Sequence, residues 1–158
     1  MEATRLRRLR HIELIRPLIA LAKGGMSVDA KNPNVVFASL WDFRRKGWTF
    51  RSGGANADQP SGSGLYRSTD GGAHWNEVTG GGLPTKPYGR IAVAVAPSNS
   101  NIVYAFVESV KSALFRSDDG GKTWARRDDS QLIVWRPFYF ANLIVDPTNP
   151  DRVFKPDL

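Results

Sequence analysis

Beyond the first two dozen residues, the apolar positions of this chain fall in short runs of β-branched and aromatic side chains, cut by Asn/Pro and Gly-Gly punctuation. Arg90–Ala96, Ile102–Glu108, Ala113–Ser117 and Thr123–Arg127 each have the length and composition of a strand bounded by turn formers. Named A to D, these predict an antiparallel meander: strand A, an Asn/Pro turn, strand B, a connector, strand C, a Gly-Gly hairpin, strand D. The start of the chain reads differently. Leu6, Leu9, Ile12 and Ile15 recur every third residue in Arg-rich Met1–Arg16, which predicts a short basic amphipathic helix stopped or kinked at Pro17. Residues 1–23 are therefore expected to lie outside the strand pattern. They read either as a helix for a membrane surface or anionic partner, or as a solvated end.

The meander repeats. Gly64–Trp75 and Ala113–Trp124 carry Ser, Asp, Gly and Trp at equal offsets and lie 49 residues apart. Val28–Ala38, Val95–Ala105 and Val145–Phe154 share a strand end, an Asn/Pro turn and a new strand. A period of that size is a repeat architecture. Four short antiparallel strands in roughly 45–50 residues is the blade of a β-propeller. The expected fold is thus all-β, a partial propeller spanning 24–158, with blades at about 24–79, 88–128 and 138–158, preceded by the short N-terminal helix. The third blade stops after its strand B, so an incomplete piece of a larger propeller is expected. Its open edges would meet the remaining blades or another copy of the chain.

The pattern Ser-x-Asp-x-Gly-x-x-Trp resembles the Asp-box, or BNR repeat. With the Val-Asp-Pro-x-Asn-Pro turn at 145–150 it is similar to sortilin/Vps10 and xyloglucanase-like propellers, most of all to large bacterial exported proteins labelled sortilin-like or BNR-repeat glycosyl hydrolases. The resemblance covers about 24–158. It implies a secreted or periplasmic parent, although no signal peptide stands in this chain. It carries no activity by itself, since such propellers include sialidases, glucanases and receptors without catalysis.

Ser68, Asp70, Gly72 and Trp75, with Ser117, Asp119, Gly121 and Trp124, are read as scaffold. Short polar side chains before Gly-Gly bond their own backbone N–H groups in a tight hairpin, glycine supplies positive φ, and the Trp ring is buried beside strand D. The resemblance implies the same structural role. Gly121-Lys122-Thr123 lacks the first glycine of a phosphate loop, which is Arg116 here, and Asp118-Asp119-Gly120 lacks the ligand alternation of a calcium loop.

Composition narrows the partners. The formal charge is +7, but +4 of it lies in residues 1–23, and no nucleic-acid-binding motif is present, so no specific nucleic acid is expected. The chain has no Cys, and His11 and His74 are isolated, so neither a metal site nor a cofactor is expected. No apolar run reaches the roughly 18 residues of a membrane span.

In such a meander the Asn/Pro turns and Gly-Gly hairpins share one face. The B–C connectors and D-to-A links share the other, where irregular loops would hold a ligand. The first repeat carries 18 extra residues there, within about 41–63. Trp41, Arg44, Arg45, Trp48 and Arg51 alternate aromatic and cationic groups, which suits stacking on sugar rings and pairing with carboxylates. The alternative is that the aromatics pack the loop on its own blade. Tyr88, Arg90, Trp135, Arg136 and Tyr139 in the links complete the expected face, whose ligand is a glycan or a peptide. Glycoside cleavage would need two carboxyl groups about 5–10 Å apart. Asp42 and Glu108 are the candidates, with Asp128 and Asp129 as outsiders, and no spacing pairs them. Three functions follow: a binding propeller without catalysis, part of a xyloglucanase-like glycoside hydrolase, or a structural piece without ligand.

Overall fold

The computed structural model describes residues 24–42, 62–134 and 141–156. The predicted N-terminal helix, Arg44, Arg45, Trp48, Arg51, Trp135, Arg136 and Tyr139 lie outside the described residues. The fold is mostly antiparallel β-sheet. Strands β1 (Gly25–Val28), β2 (Val36–Leu40), β3 (Gly64–Ser68) and β4 (Asn76–Glu77) form one four-stranded sheet in chain order. Strands β5 (Ile91–Val95), β6 (Val103–Val107), β7 (Ala113–Ser117) and β8 (Ala125–Asp128) form a second. A short helix α1 (Gln131–Val134) follows, then the pair β9 (Ile144–Val145) and β10 (Val153–Phe154).

The central strands are apolar without alternation because both faces of their sheet are covered. Ile91, Val93, Val95, Val103, Ala105 and Val107 pack with Phe37 and Leu65 of the first sheet. The intervening Ala92, Ala94, Tyr104 and Phe106 pack with Ala141 and Val145 on the other side. The last strand of each sheet is polar and exposed, as an outer strand should be.

The turns repeat as closely as the sequence does. Asn32, Asn99 and Asn149 each accept from the backbone N–H two residues on, at 3.2, 3.1 and 3.0 Å. Within each sheet the Gly-Gly hairpin bonds to the Asn/Pro turn, from Gly71 N to Asn34 O at 2.9 Å and from Gly120 N to Asn101 O at 2.8 Å. Gly121 has φ +89°, and a Cβ there would lie 2.7 Å from the Phe37 ring, so this glycine also lets the first sheet approach the second.

Polar bonds cross both seams. Ser39, fully buried in apolar β2, donates to Ile91 O at 2.8 Å. Val95 N donates to Ser27 Oγ at 2.9 Å, and Ser100 Oγ donates to the buried Asp29. On the far side Tyr104 donates to Pro150 O at 3.0 Å, and Arg116 Nη1 meets Asp151 Oδ1 at 2.5 Å.

Strand β7 has its predicted bounds. Strand β8 starts at Ala125, two residues later than expected, because Thr123 N is bonded by Asp119 and Trp124 N donates to Gly81 O at 2.6 Å. The helix α1 was not expected. The sequence leaves these residues in an irregular D-to-A link, but Ser130 O accepts from Ile133 N and Val134 N and closes a helical turn.

Candidate functional site

The sheets present two unlike ends. At one, Val36 faces Ser68 and Val103 faces Ser117, and the repeated turns project from there. At the other, Leu40 faces Gly64 and Val107 faces Ala113, and the irregular connectors leave from there.

On the turn end both aspartates are fully used. Asp119 Oδ1 accepts from Ser117 Oγ at 2.8 Å, Lys122 N at 2.9 Å and Thr123 N at 2.8 Å, and Oδ2 accepts from Thr123 Oγ1 at 2.6 Å. Asp70 repeats this with Ser68 Oγ at 2.7 Å and His74 N at 2.9 Å, while His74 Nδ1 lies 2.6 Å from its Oδ2. The Thr123 bonds, then Ser117, hold Asp119 well below the usual carboxylate range, and the His74 N–H bond, then Ser68, does the same for Asp70. These are carboxylates locked as anions inside their own turns. Gly72 and Gly121 donate backbone N–H to Ser68 Oγ and Ser117 Oγ, each at 2.8 Å. Trp124 is buried, and half-buried Trp75 donates to Gly72 O at 2.9 Å.

On the connector end, the predicted residues Trp41, Arg90 and Glu108 come together, and Asp42 stands beside Trp41 in the chain. Trp41 and Asp42 follow β2, Arg90 precedes β5, and Glu108 follows β6. The Arg90 guanidinium carbon lies 4.9 Å from the centre of the Trp41 ring, a cation–π stack across the seam between the sheets. Arg90 N donates to Glu108 Oε2 at 2.7 Å, and Glu108 N donates to Arg90 O at 3.0 Å. Burial pulls the Arg90 pKa down, opposed by the charge of Glu108. Asp42 sits at the neck of the insertion. Its Oδ2 accepts from Gly62 N at 3.0 Å, and its own N–H donates to Ser63 Oγ at 2.9 Å. Each carboxylate thus braces backbone on this face.

Tyr88 is elsewhere. It was expected on the ligand face, but it is buried in the core between the sheets, and its hydroxyl donates to Pro84 O at 2.6 Å. The link 78–90 does not simply cross the connector face. It dips between the sheets, where Leu83 and Tyr88 fill the seam. Asp128 accepts from Ser130 N at 2.8 Å and Asp129 pairs with Arg126 at 2.6 Å, so both organise the approach to α1.

An open depression of about 540 Å³ also lies at this end, lined by Val110, Lys111, Ser112, Arg126, Asp129 and Val134. The expected face did not include it. Strand order places its B–C connector, Val110–Ser112, and its D-to-A link residues Asp129 and Val134 at this end, but does not show that they enclose a depression. Among the described residues no group of His, Cys, Asp and Glu could hold a metal ion, and no helix is long and apolar enough to cross a membrane.

No protein-family model matches the chain. A xyloglucanase of Hypocrea jecorina (strain QM6a) is 37% identical over 76 residues, 45% of this chain and 9% of that protein. The crystal structure of a GH74 xyloglucanase from Xanthomonas campestris matches 82% of this chain and 18% of its own, with a TM-score of 0.53 and 22% identity. That of a Niastella koreensis GH74 enzyme matches 81% and 18%, with a TM-score of 0.50 and 18% identity. The chain is distantly similar to GH74 xyloglucanase-like enzymes. It spans 9% of the curated relative and 18% of each solved chain, and its two four-stranded sheets agree with part of a propeller-like GH74 fold.

Proposed function

We propose that this chain is part of a glycoside-hydrolase-like propeller of the xyloglucanase type, and that its connector end contacts the glycan. The 37% identity to a xyloglucanase over 76 residues carries the reading. In it, residues 24–158 are propeller blades at about 24–79, 88–128 and 138–158, and the two Ser-x-Asp-x-Gly turns are Asp-boxes that set the blades. The half-buried Trp41 ring, backed by Arg90, is a flat apolar group of the kind on which a sugar ring stacks, and strand order assigns the connectors that carry Arg44, Arg45, Trp48, Arg51, Trp135, Arg136 and Tyr139 to the same end.

The test is calorimetric titration of the full chain with xyloglucan oligosaccharide. Trp41→Ala is expected to weaken binding about tenfold, the effect of losing roughly 1.4 kcal/mol of stacking. Unchanged affinity would remove this face from the reading. A second reading, binding without turnover, is favoured by the use of Asp42 and Glu108 as braces for Gly62 N and Arg90 N. Release of reducing ends, abolished in Asp42→Asn or Glu108→Gln, would decide for hydrolysis. Binding with no release decides for recognition alone.

A further inference from the structure

The two sheets carry the same arginine in different surroundings. Arg67 faces Phe37 across strands, as Arg116 faces Tyr104. Each guanidinium lies over that ring, at 5.8 Å for Arg67 and 5.6 Å for Arg116. Arg116 then meets two carboxylates. Its Nε donates to Asp118 at 2.8 Å, and its Nη1 reaches Asp151 in the next Asn/Pro turn at 2.5 Å.

For Arg67 both carboxylates are missing. Thr69 stands in the hairpin where Asp118 stands in the second sheet. Asn101 occupies the turn position of Asp151, since both N–H groups donate to the Asn side chain two residues earlier. Arg67 is half-buried, its Nε is buried with no hydrogen-bond partner, and among the described residues its guanidinium meets no carboxylate. A buried N–H without an acceptor is costly, and the cost falls when a carboxylate meets it.

We propose that the seam between the first hairpin and the second Asn/Pro turn is an anion seat, in which Arg67 takes a ligand carboxylate in the place that Asp118 and Asp151 fill for Arg116. The carboxylate comes from a free organic acid or from a uronic acid residue. The seat lies on the turn end, opposite the proposed glycan face, and is independent of it.

The experiment follows backbone amide resonances of the full chain during titration with acetate, galacturonate and galactose at constant ionic strength. Acetate and galacturonate are expected to shift Thr69 and Asn101 with saturation, and galactose is not. A galacturonate midpoint at least tenfold below that of acetate assigns the uronic acid as source, and equal midpoints assign the free acid. Asn101→Asp supplies an internal carboxylate and is expected to raise both midpoints at least tenfold. Arg67→Gln is expected to abolish saturation. Shifts that do not saturate, or that persist unchanged in Asn101→Asp, overturn the proposal, whether or not Arg67→Gln folds.

Discussion

Every oxygen of Asp119 already has a donor, and this decides what the residue can do. An aspartate beside Gly-Gly invites a catalytic role, yet a carboxylate held as an anion by its own turn is a poor proton donor. Its pKa is lowered in the folded chain, so the stability it contributes is present above the ordinary aspartate value near 4 and is lost as pH falls toward the depressed value. Asp119→Asn should therefore lower the melting temperature at pH 6 and flatten its decline between about pH 4 and pH 2. A parallel decline in both proteins would show that this carboxylate does not couple to folding. This role was legible in the sequence, because residue types and offsets alone specify the turn. The partner in the first turn was less so, since His74 takes the place of Thr123.

At the scale of elements, the link 78–90 separates strand order from path. Strand order places it, as a D-to-A link, on the connector end. Instead Gly81 runs against the backbone of Lys122 and Thr123 and Gly82 against that of Trp124, and Leu83 and Tyr88 enter the core. Strand order fixes where a connector begins and ends, but not how much of it the seam between two sheets needs. The glycines report that path. Gly80 has φ +67° and open space around it, whereas a Cβ on Gly82 would lie 1.9 Å from Trp124 O, at φ +105°. Gly80→Ala should cost about 1 kcal/mol, the penalty for a left-handed backbone. Gly82→Ala should cost about 3 kcal/mol or more, because backbone must move as well. Urea unfolding of both variants measures the difference, and equal losses would place the link outside the seam. Trp41, Asp42, Arg90 and Glu108 were legible as residues at strand ends. The convergence of Trp41, Arg90 and Glu108 was not, because the stack of Arg90 on Trp41 joins different sheets.

At the scale of the whole molecule, the second sheet is a slab clamped on both sides, and its two clamps differ in kind. Toward the first sheet it offers Ile91, Val93, Val95 and Val103, with buried Ser39 bonding Ile91 O. Toward β9 and β10 it offers smaller Ala92, Ala94 and Ala96, together with Tyr104, Phe106 and the Arg116–Asp151 pair. Burial works against the Arg116 charge, yet its bonds with Asp151 and Asp118 hold its pKa above the ordinary arginine value. The β9–β10 pair has two residues per strand, with Ile144 and Phe154 exposed, so its own ladder supplies little. Its order depends on the docking contacts from Tyr104 and Arg116. Arg116→Ala should release it locally, since local openings track the weakest set of contacts rather than global stability. Hydrogen exchange should then lose protection at Asp146 and Arg152, whose amides close the third Asn/Pro turn, while Val103–Val107 keep theirs. Uniform loss across both regions would mean that the arginine supports the entire fold, and the seam could not be treated as a separable joint.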